Sequence, residues 1–238
     1  MMNGRVINAY RSNGYQIDTD ERCDYFLGLD LGQSNDPTAL CIVEREWRSP
    51  HQKSLGAKGI IMNCRHLERI PLRSSYTDIV KYAAKRVRDL EGTGKHVYLI
   101  IDATGVGRPV CDMFDEAGLP VTALTMTGGH DVTKGENANA VNVPKRDLIS
   151  ALQRSLQMNT LRIAKELKYA KTLKHELGMF KIKIGLKGNV SLEAWREKDH
   201  DDLVLAASMA VWAATYERFY RYTDEGGAVV FGTISFPR

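Results

Sequence analysis

Residues 25–32 read Tyr-Phe-Leu-Gly-Leu-Asp-Leu-Gly (YFLGLDLG). Phe26, Leu27, Leu29 and Leu31 form an almost unbroken apolar run, the pattern of a strand covered on both faces. Asp30 interrupts it. A carboxylate inside a buried strand is costly unless it is paired, hydrogen-bonded or bound to metal. Taken alone, Asp30 also fits a strand end that caps a turn, so its meaning depends on whether the chain repeats the device.

Outward from this strand, a Gly/Asn/Asp/Pro turn over Gly32 to Pro37 leads to a second strand, Thr38 to Trp47. A loop with Pro50 and Gly56 leads to a third, Gly59 to Leu67. Strands joined this closely predict an antiparallel meander. Ser75 followed by Asp78 is a helix-capping arrangement. Ile79, Tyr82, Ala83, Val87 and Leu90 then recur at helical spacing as far as Gly92. VYLII (Val97 to Ile101) is a short apolar strand that also ends on a carboxylate, Asp102. The DATGVG turn enters a helix from Pro109 to Ala117, and Val121 to Met126 is another strand. Three strands, helix, strand, helix, strand is an α/β layout with a mixed sheet.

The second half is less regular. Thr127 to Val143 is rich in glycine and asparagine and reads as a long insertion without structure of its own, which is usually functional. Pro144 starts a helix with Leu148, Ile149, Leu152 and Leu156 on one face. A short segment, Thr160 to Ile163, and a lysine-rich helix, Lys165 to Leu177, follow. Phe180 to Trp195 alternates apolar and polar residues around Gly185 and Gly188, which predicts a β-hairpin. A final helix from Asp201 to about Tyr220 is apolar nearly all round, so its first half should be buried.

That helix opens on the third acidic interruption, KDHDDLVLAA, with Asp201 and Asp202 at its mouth. An acidic cap suits a helix N-terminus and contributes roughly 1 kcal/mol, so this pair alone decides nothing. Together, however, the three sites fit one cluster. Neighbouring strands lie about 4.8 Å apart, which puts Asp30 and Asp102 within metal-bridging reach. Clustered carboxylates repel and raise one another's pKa, and a divalent cation removes that penalty. All-oxygen ligands select hard ions such as Mg²⁺ or Mn²⁺, and a pair about 4 Å apart stabilises attacking and leaving oxygens at a phosphodiester.

Composition narrows the class. The chain has 238 residues, 43% hydrophobic and 26% charged, with a net charge of +4, values ordinary for a globular protein large enough to bury a full core. No apolar run reaches bilayer-spanning length, and the polar start is not a secretory signal. Cys23, Cys41, Cys64 and Cys111 contain no CxxC pair, so they read as free thiols in a reducing compartment.

The order of these elements resembles the ribonuclease H-like nucleases. More narrowly, FLGLDLGQSNDPTAL, IIDATGVGRPV, VPKRDLISALQRSLQMNTLRI and DHDDLVLAASMA resemble, in this order, motifs of the nuclease domain of the large terminase subunit of tailed bacteriophages. The resemblance runs from Tyr25 to about Tyr216. It implies an α/β fold with a ribonuclease H-like mixed five-stranded sheet flanked by helices and an added β-hairpin. The nuclease domain would occupy 23–221, between a flexible N-terminal arm over 1–22 and a C-terminal tail over 222–238. It further implies metal-dependent cleavage of double-stranded DNA during genome packaging, in the cytoplasm of a bacterial host. Asp30 and Asp102 would bind two Mg or Mn ions with Asp201 or Asp202, Asp202 being preferred, and His200 would orient the site or its water. A large terminase subunit also carries an ATPase motor. The nearest match to a Walker A motif here, GTGKH at Gly92 to His96, lacks the first glycine, has His for Ser/Thr and leads into a strand. A separate packaging ATPase, the small terminase subunit and the portal are therefore the implied partners.

Positive charge is concentrated downstream. Between Lys145 and Lys187 stand eleven basic residues (145, 146, 154, 162, 165, 168, 171, 174, 181, 183 and 187), opposed only by Asp147, Glu166 and Glu176. Lys165, Lys168, Lys171 and Lys174 recur every three residues along the expected helix. With Lys145, Arg146, Lys181 and Lys183 they form the candidate phosphate-contacting surface, although solvated lysine helices are also common. A branched-DNA resolvase or transposase would share the acids and differ in substrate. A domain that binds DNA or packaging partners without cutting is the alternative from another class. An actin-like or sugar-kinase ATPase shares an acidic DLG strand but needs two large lobes, for which the chain is short.

Overall fold

The computed structural model describes residues 10–12, 15–17, 23–32, 36–47, 60–105, 108–137, 139–187, 201–216, 221–223 and 229–231. Two short strands, β1 (Tyr10–Ser12) and β2 (Tyr15–Ile17), precede β3 (Cys23–Asp30), the strand of the buried run. The expected meander follows as β4 (Ala39–Trp47) and β5 (Ile60–Arg69), each antiparallel to its predecessor. Helix α1 (Tyr76–Glu91) begins at Ser75, whose hydroxyl accepts from the Asp78 N–H at 3.1 Å. Then come β6 (His96–Asp102), α2 (Arg108–Glu116) and β7 (Val121–Thr127). β6 lies parallel to β3 on the side away from β4, and β7 parallel to β6. The order β5-β4-β3-β6-β7 thus carries the five strands expected from the sequence.

Among the described residues, three further strands widen the sheet to eight. The insertion expected to lack structure contributes β8 (Thr133–Lys134) and β9 (Ala140–Pro144), β9 running parallel to β7 and β8 pairing back on it. Its signal was the alternation of Val141 and Val143, both buried, with Asn142, half-exposed between them. Beyond α3 (Lys145–Gln157), β10 (Leu161–Ile163) pairs with the outer edge of β5. The lysine-rich helix begins later than expected. Residues 165–169 form consecutive turns closed by Leu167 N–H to Ala164 and Ala170 N–H to Leu167, and α4 spans Ala170–Lys187. The hairpin expected over Phe180 to Trp195 is helical as far as Lys187, because a helix already formed adds residues at low cost. Residues 188–200 lie outside the described residues.

Helix α5 (Asp202–Thr215) is followed by β11 (Arg221–Thr223) and β12 (Val229–Phe231). β1, β2, β11 and β12 form a second small sheet. Apart from these strands, the expected arm over 1–22 and tail over 222–238 fall outside the described residues. No helix among the described residues is long and apolar enough to cross a membrane.

Alternation on β3 divides the core. Tyr25, Leu27, Leu29 and Leu31 face α1 and α2, whereas Phe26 faces α3 and α5. Gly28 lies on the second face, and there a glycine is required. A Cβ at this position would stand 2.1 Å from the Ala206 carbonyl oxygen and 2.9 Å from the Ala210 nitrogen, both backbone atoms of α5. α5 is buried from Asp202 to Ala214 and lies directly on the strand. Its far end is held by Arg45, which is 1% exposed. This guanidinium pairs with Asp24 at 2.6 Å, donates to the Ala214 carbonyl at 3.0 Å and covers the Phe26 ring. The segment Asp24 to Asp30 and the helix each span roughly 20 Å. Arg45 and Asp24 therefore mark one end of a matched pair, and Asp30 and Asp202 the other.

Gly28→Ala should destabilise the fold by about 3 kcal/mol or more, because the atoms in the way are backbone and cannot rotate aside. Urea denaturation measures this; an unchanged midpoint would mean that α5 does not lie against Gly28.

Candidate active site

Asp30 and Asp102 end adjacent parallel strands. The last registered pair between β3 and β6 is Leu29 with Ile101, so the two carboxylates come one residue later, on the face toward α5. The chain leaves β3 toward β4 on one side and returns to β6 on the other. This is the point where strand order reverses, and the crevice beyond the carboxyl ends of strands at such a point is where open α/β sheets bind ligands.

The turn after Asp102 is built to hold it. Asp102 Oδ1 accepts from the Thr104 N–H at 2.8 Å, and Thr104 Oγ1 accepts from the Met126 N–H at 2.8 Å. Ala103 N–H donates to Leu124, and Gly105 takes φ 84°, a conformation that favours glycine. The Asp102 carboxylate is thereby fixed to the end of β7 as well as β6.

Asp201 and Asp202 arrive with α5. Asp201 occupies the cap position, yet its side chain makes no capping hydrogen bond. It faces Lys145 Nζ, 3.5 Å away at the start of α3. Glu176 of α4 reaches the helix instead, its Oε2 accepting from the Val204 N–H at 3.3 Å. Asp202 is gripped by Arg69 at the end of β5: Nε to Oδ2 is 2.8 Å and Nη2 to Oδ1 is 2.7 Å. The same Nη2 lies 2.7 Å from Glu176 Oε1.

Electrostatics tie these groups together. Burial, and then the charges of Asp102, Asp201 and Asp202, push the Asp30 carboxyl well above the usual carboxylate range, with Lys145 acting against them. Burial also raises Asp201, opposed by Lys145. Burial first and Asp202 next push Glu176 up to about 7, with Arg69 pulling the other way. Among the described residues no group of three or more His, Cys, Asp or Glu side chains is set to hold a metal ion. Asp102, Asp201 and Asp202 are instead turned to Thr104, Lys145 and Arg69. The donor set nevertheless suits a hard divalent cation: all its donor atoms are oxygen, and half-buried Asp30 stands among like charges.

The other expected residues fall as follows. Lys145 is drawn into the acidic cluster and not onto an outer surface. Arg146 is exposed and bonds His130, its Nη1 to Nδ1 at 2.7 Å and its Nη2 to the carbonyl at 2.8 Å. Lys165 and Lys168 are exposed on the turns before α4, and Lys171 and Lys174 are exposed on α4. The four therefore do not form one helical stripe. Lys181 and Lys183 belong to α4, and His200 lies outside the described residues. Arg69 and Glu176 were not anticipated, although both carried a signal. Glu176 falls on the apolar face with Leu173 and Leu177, and Arg69 continues the inward face of β5 two residues after Leu67.

No protein-family model matches the chain, and no curated protein is significantly similar to it in sequence. Among solved structures, the large terminase nuclease from thermophilic phage G20c is similar at 18% identity and a TM-score of 0.46, covering 89% of this chain and 94% of that one. The human cytomegalovirus terminase nuclease domain gives 14% and 0.45, covering 86% of each chain. RuvC of Thermus thermophilus gives 14% and 0.37, covering 80% of this chain and 92% of that one. The phage nuclease has also been solved with bound magnesium. The five-strand core, with β3 central, β4 and β5 to one side and β6 and β7 to the other, is the mixed α/β sheet expected from the sequence. Within that core, Asp30, Asp102 and the start of α5 meet at one end of the sheet.

A carboxyl whose folded pKa lies above its unfolded value contributes stability that is fully present below the unfolded pKa and lost as pH rises through the folded one. Asp30 is such a group, so in EDTA Asp30→Asn should melt above wild type at pH 8, with the gap closing toward pH 4. A variant that melts below wild type at pH 8 would contradict the placement of Asp30 among like charges.

Proposed function

We propose that the protein is a Mg²⁺- or Mn²⁺-dependent endonuclease of the terminase type, which cuts double-stranded DNA during genome packaging. The observation that carries this reading is the placement of half-buried Asp30 beside Asp102, Asp201 and Asp202, with Lys145 as the opposing base, at the open end of the central strands. Such an arrangement is a standing cost to the fold, and a hard divalent cation offsets it.

Asp30 and Asp102 would hold metal, together with an acid from the Asp201/Asp202 pair. Divalent ions held there would supply an activated water and a counter-charge for the leaving oxygen. The protein's own contribution is position. The sheet fixes Asp30, the DATG turn fixes Asp102, and α5 delivers the third carboxylate. Lys145 limits the negative charge that the cluster presents to an incoming phosphate. Water attacks phosphorus in line, the P–O3′ bond breaks, and the products are a 5′-phosphate and a 3′-hydroxyl. Exposed Lys165, Lys168, Lys171 and Lys174, with Arg146, supply phosphate contacts that carry no base information. Weak sequence preference follows. Translocation of DNA would fall to a separate packaging ATPase, with the small terminase subunit and portal as further partners, in the host cytoplasm.

Supercoiled plasmid incubated with the protein in Mn²⁺ or Mg²⁺ should be nicked and linearised, and EDTA should stop the reaction. Asp30→Asn and Asp102→Asn should each lower the rate by at least about a hundredfold. Cleavage that persists in EDTA or in both folded variants would refute the assignment. Preferential cutting of a four-way junction would move the substrate to branched DNA.

A further inference from the structure

The adjacent aspartates at the head of α5 have different surroundings. Both Asp202 oxygens are occupied by one guanidinium in a two-pronged pair, and the residue is 5% exposed. Arg69 is itself held by Glu176, and Glu176 also takes the Val204 N–H. The result is a closed frame joining β5, α4 and α5. Asp201 differs on each count. Its side chain is 27% exposed, it leaves the cap position unused, and its contact with Lys145 is 3.5 Å long. A lysine on a flexible stem yields a carboxylate more readily than a planar guanidinium bonded through two nitrogens.

We propose that Arg69, clamped by Glu176, is a positioning residue that locks Asp202 into the frame of the fold and leaves Asp201 as the third carboxylate presented with Asp30 and Asp102. The inference rests on the metal-dependent reading above. It reverses the preference for Asp202 drawn from the sequence. It also gives Glu176 a role that its lysine-rich surroundings conceal: the acid ties α4, which carries exposed Lys171 and Lys174, to the acidic end of the sheet. Without Arg69, Asp202 would lose its counter-charge beside Asp201, and the site would gain negative charge. A guanidinium that only supported the fold would not produce that gain.

Mn²⁺ binding to the full chain, followed by isothermal titration calorimetry with circular dichroism as the check on folding, tests this. Asp201→Asn should lose at least about tenfold in Mn²⁺ affinity. Asp202→Asn, which keeps an acceptor for Arg69 but loses the charge that neutralises it, should lose less affinity than Asp201→Asn. Arg69→Gln should bind Mn²⁺ more tightly, by about tenfold, despite a lower melting temperature. Loss of affinity in Asp202→Asn equal to or greater than that in Asp201→Asn would overturn the proposal, as would weakened or unchanged binding in folded Arg69→Gln. If Asp202→Asn does not fold, Asp201→Asn and Arg69→Gln decide the matter. A folded wild type that binds no Mn²⁺ would instead defeat the metal-dependent reading on which the inference stands.

Discussion

A helix buried on every side has to find a surface without side chains in its path, and Gly28 gives α5 that surface. Contact between helix backbone and strand backbone fixes the height of α5 above the sheet. The matched lengths of the two elements then fix its register. Both ends of the helix dipole are answered from other elements. Arg45 binds the Ala214 carbonyl at the C-terminus, and Glu176 takes the Val204 N–H at the N-terminus. The same geometry that buries α5 brings its first residues to the level of Asp30. Position of the acids is thus a consequence of how the core packs.

The fold bears a cost for this. Asp30 stands half-buried among carboxylates, with Lys145 opposing their charge. Arg69 is spent on Asp202 and Glu176. Such local conflict between charge and burial is expected where a site is built for something the protein must bind. The bland reading of Asp201, an acid that caps a helix, is weakened by the hydrogen bonds themselves, since its side chain does not cap and Glu176 reaches the helix in its place.

The central order of strands and helices was legible because the signals were local and strong. An apolar run marked β3, a capping pair marked α1, and a second apolar run ending on Asp102 marked β6. The misreadings came where local pattern was weak or ambiguous. Gly and Asn around Val141 and Val143 concealed β9, whose pairing with β7 is a long-range choice. Lysines every three residues looked like one helical stripe, but Lys165 and Lys168 stand on successive turns. Neither Arg69 nor Glu176 could be assigned a partner, because a strand end and a helix more than a hundred residues away meet only in the folded chain. The choice between Asp201 and Asp202 had the same obstacle: neighbours in sequence, they are separated in role by that distant guanidinium.

Anomalous diffraction from crystals soaked in Mn²⁺ tests the central claim most directly. Manganese peaks are expected in contact with Asp30 and Asp102 at the carboxyl ends of β3 and β6. Strong peaks elsewhere on a well-ordered molecule, with Asp30 and Asp102 bare, would contradict it.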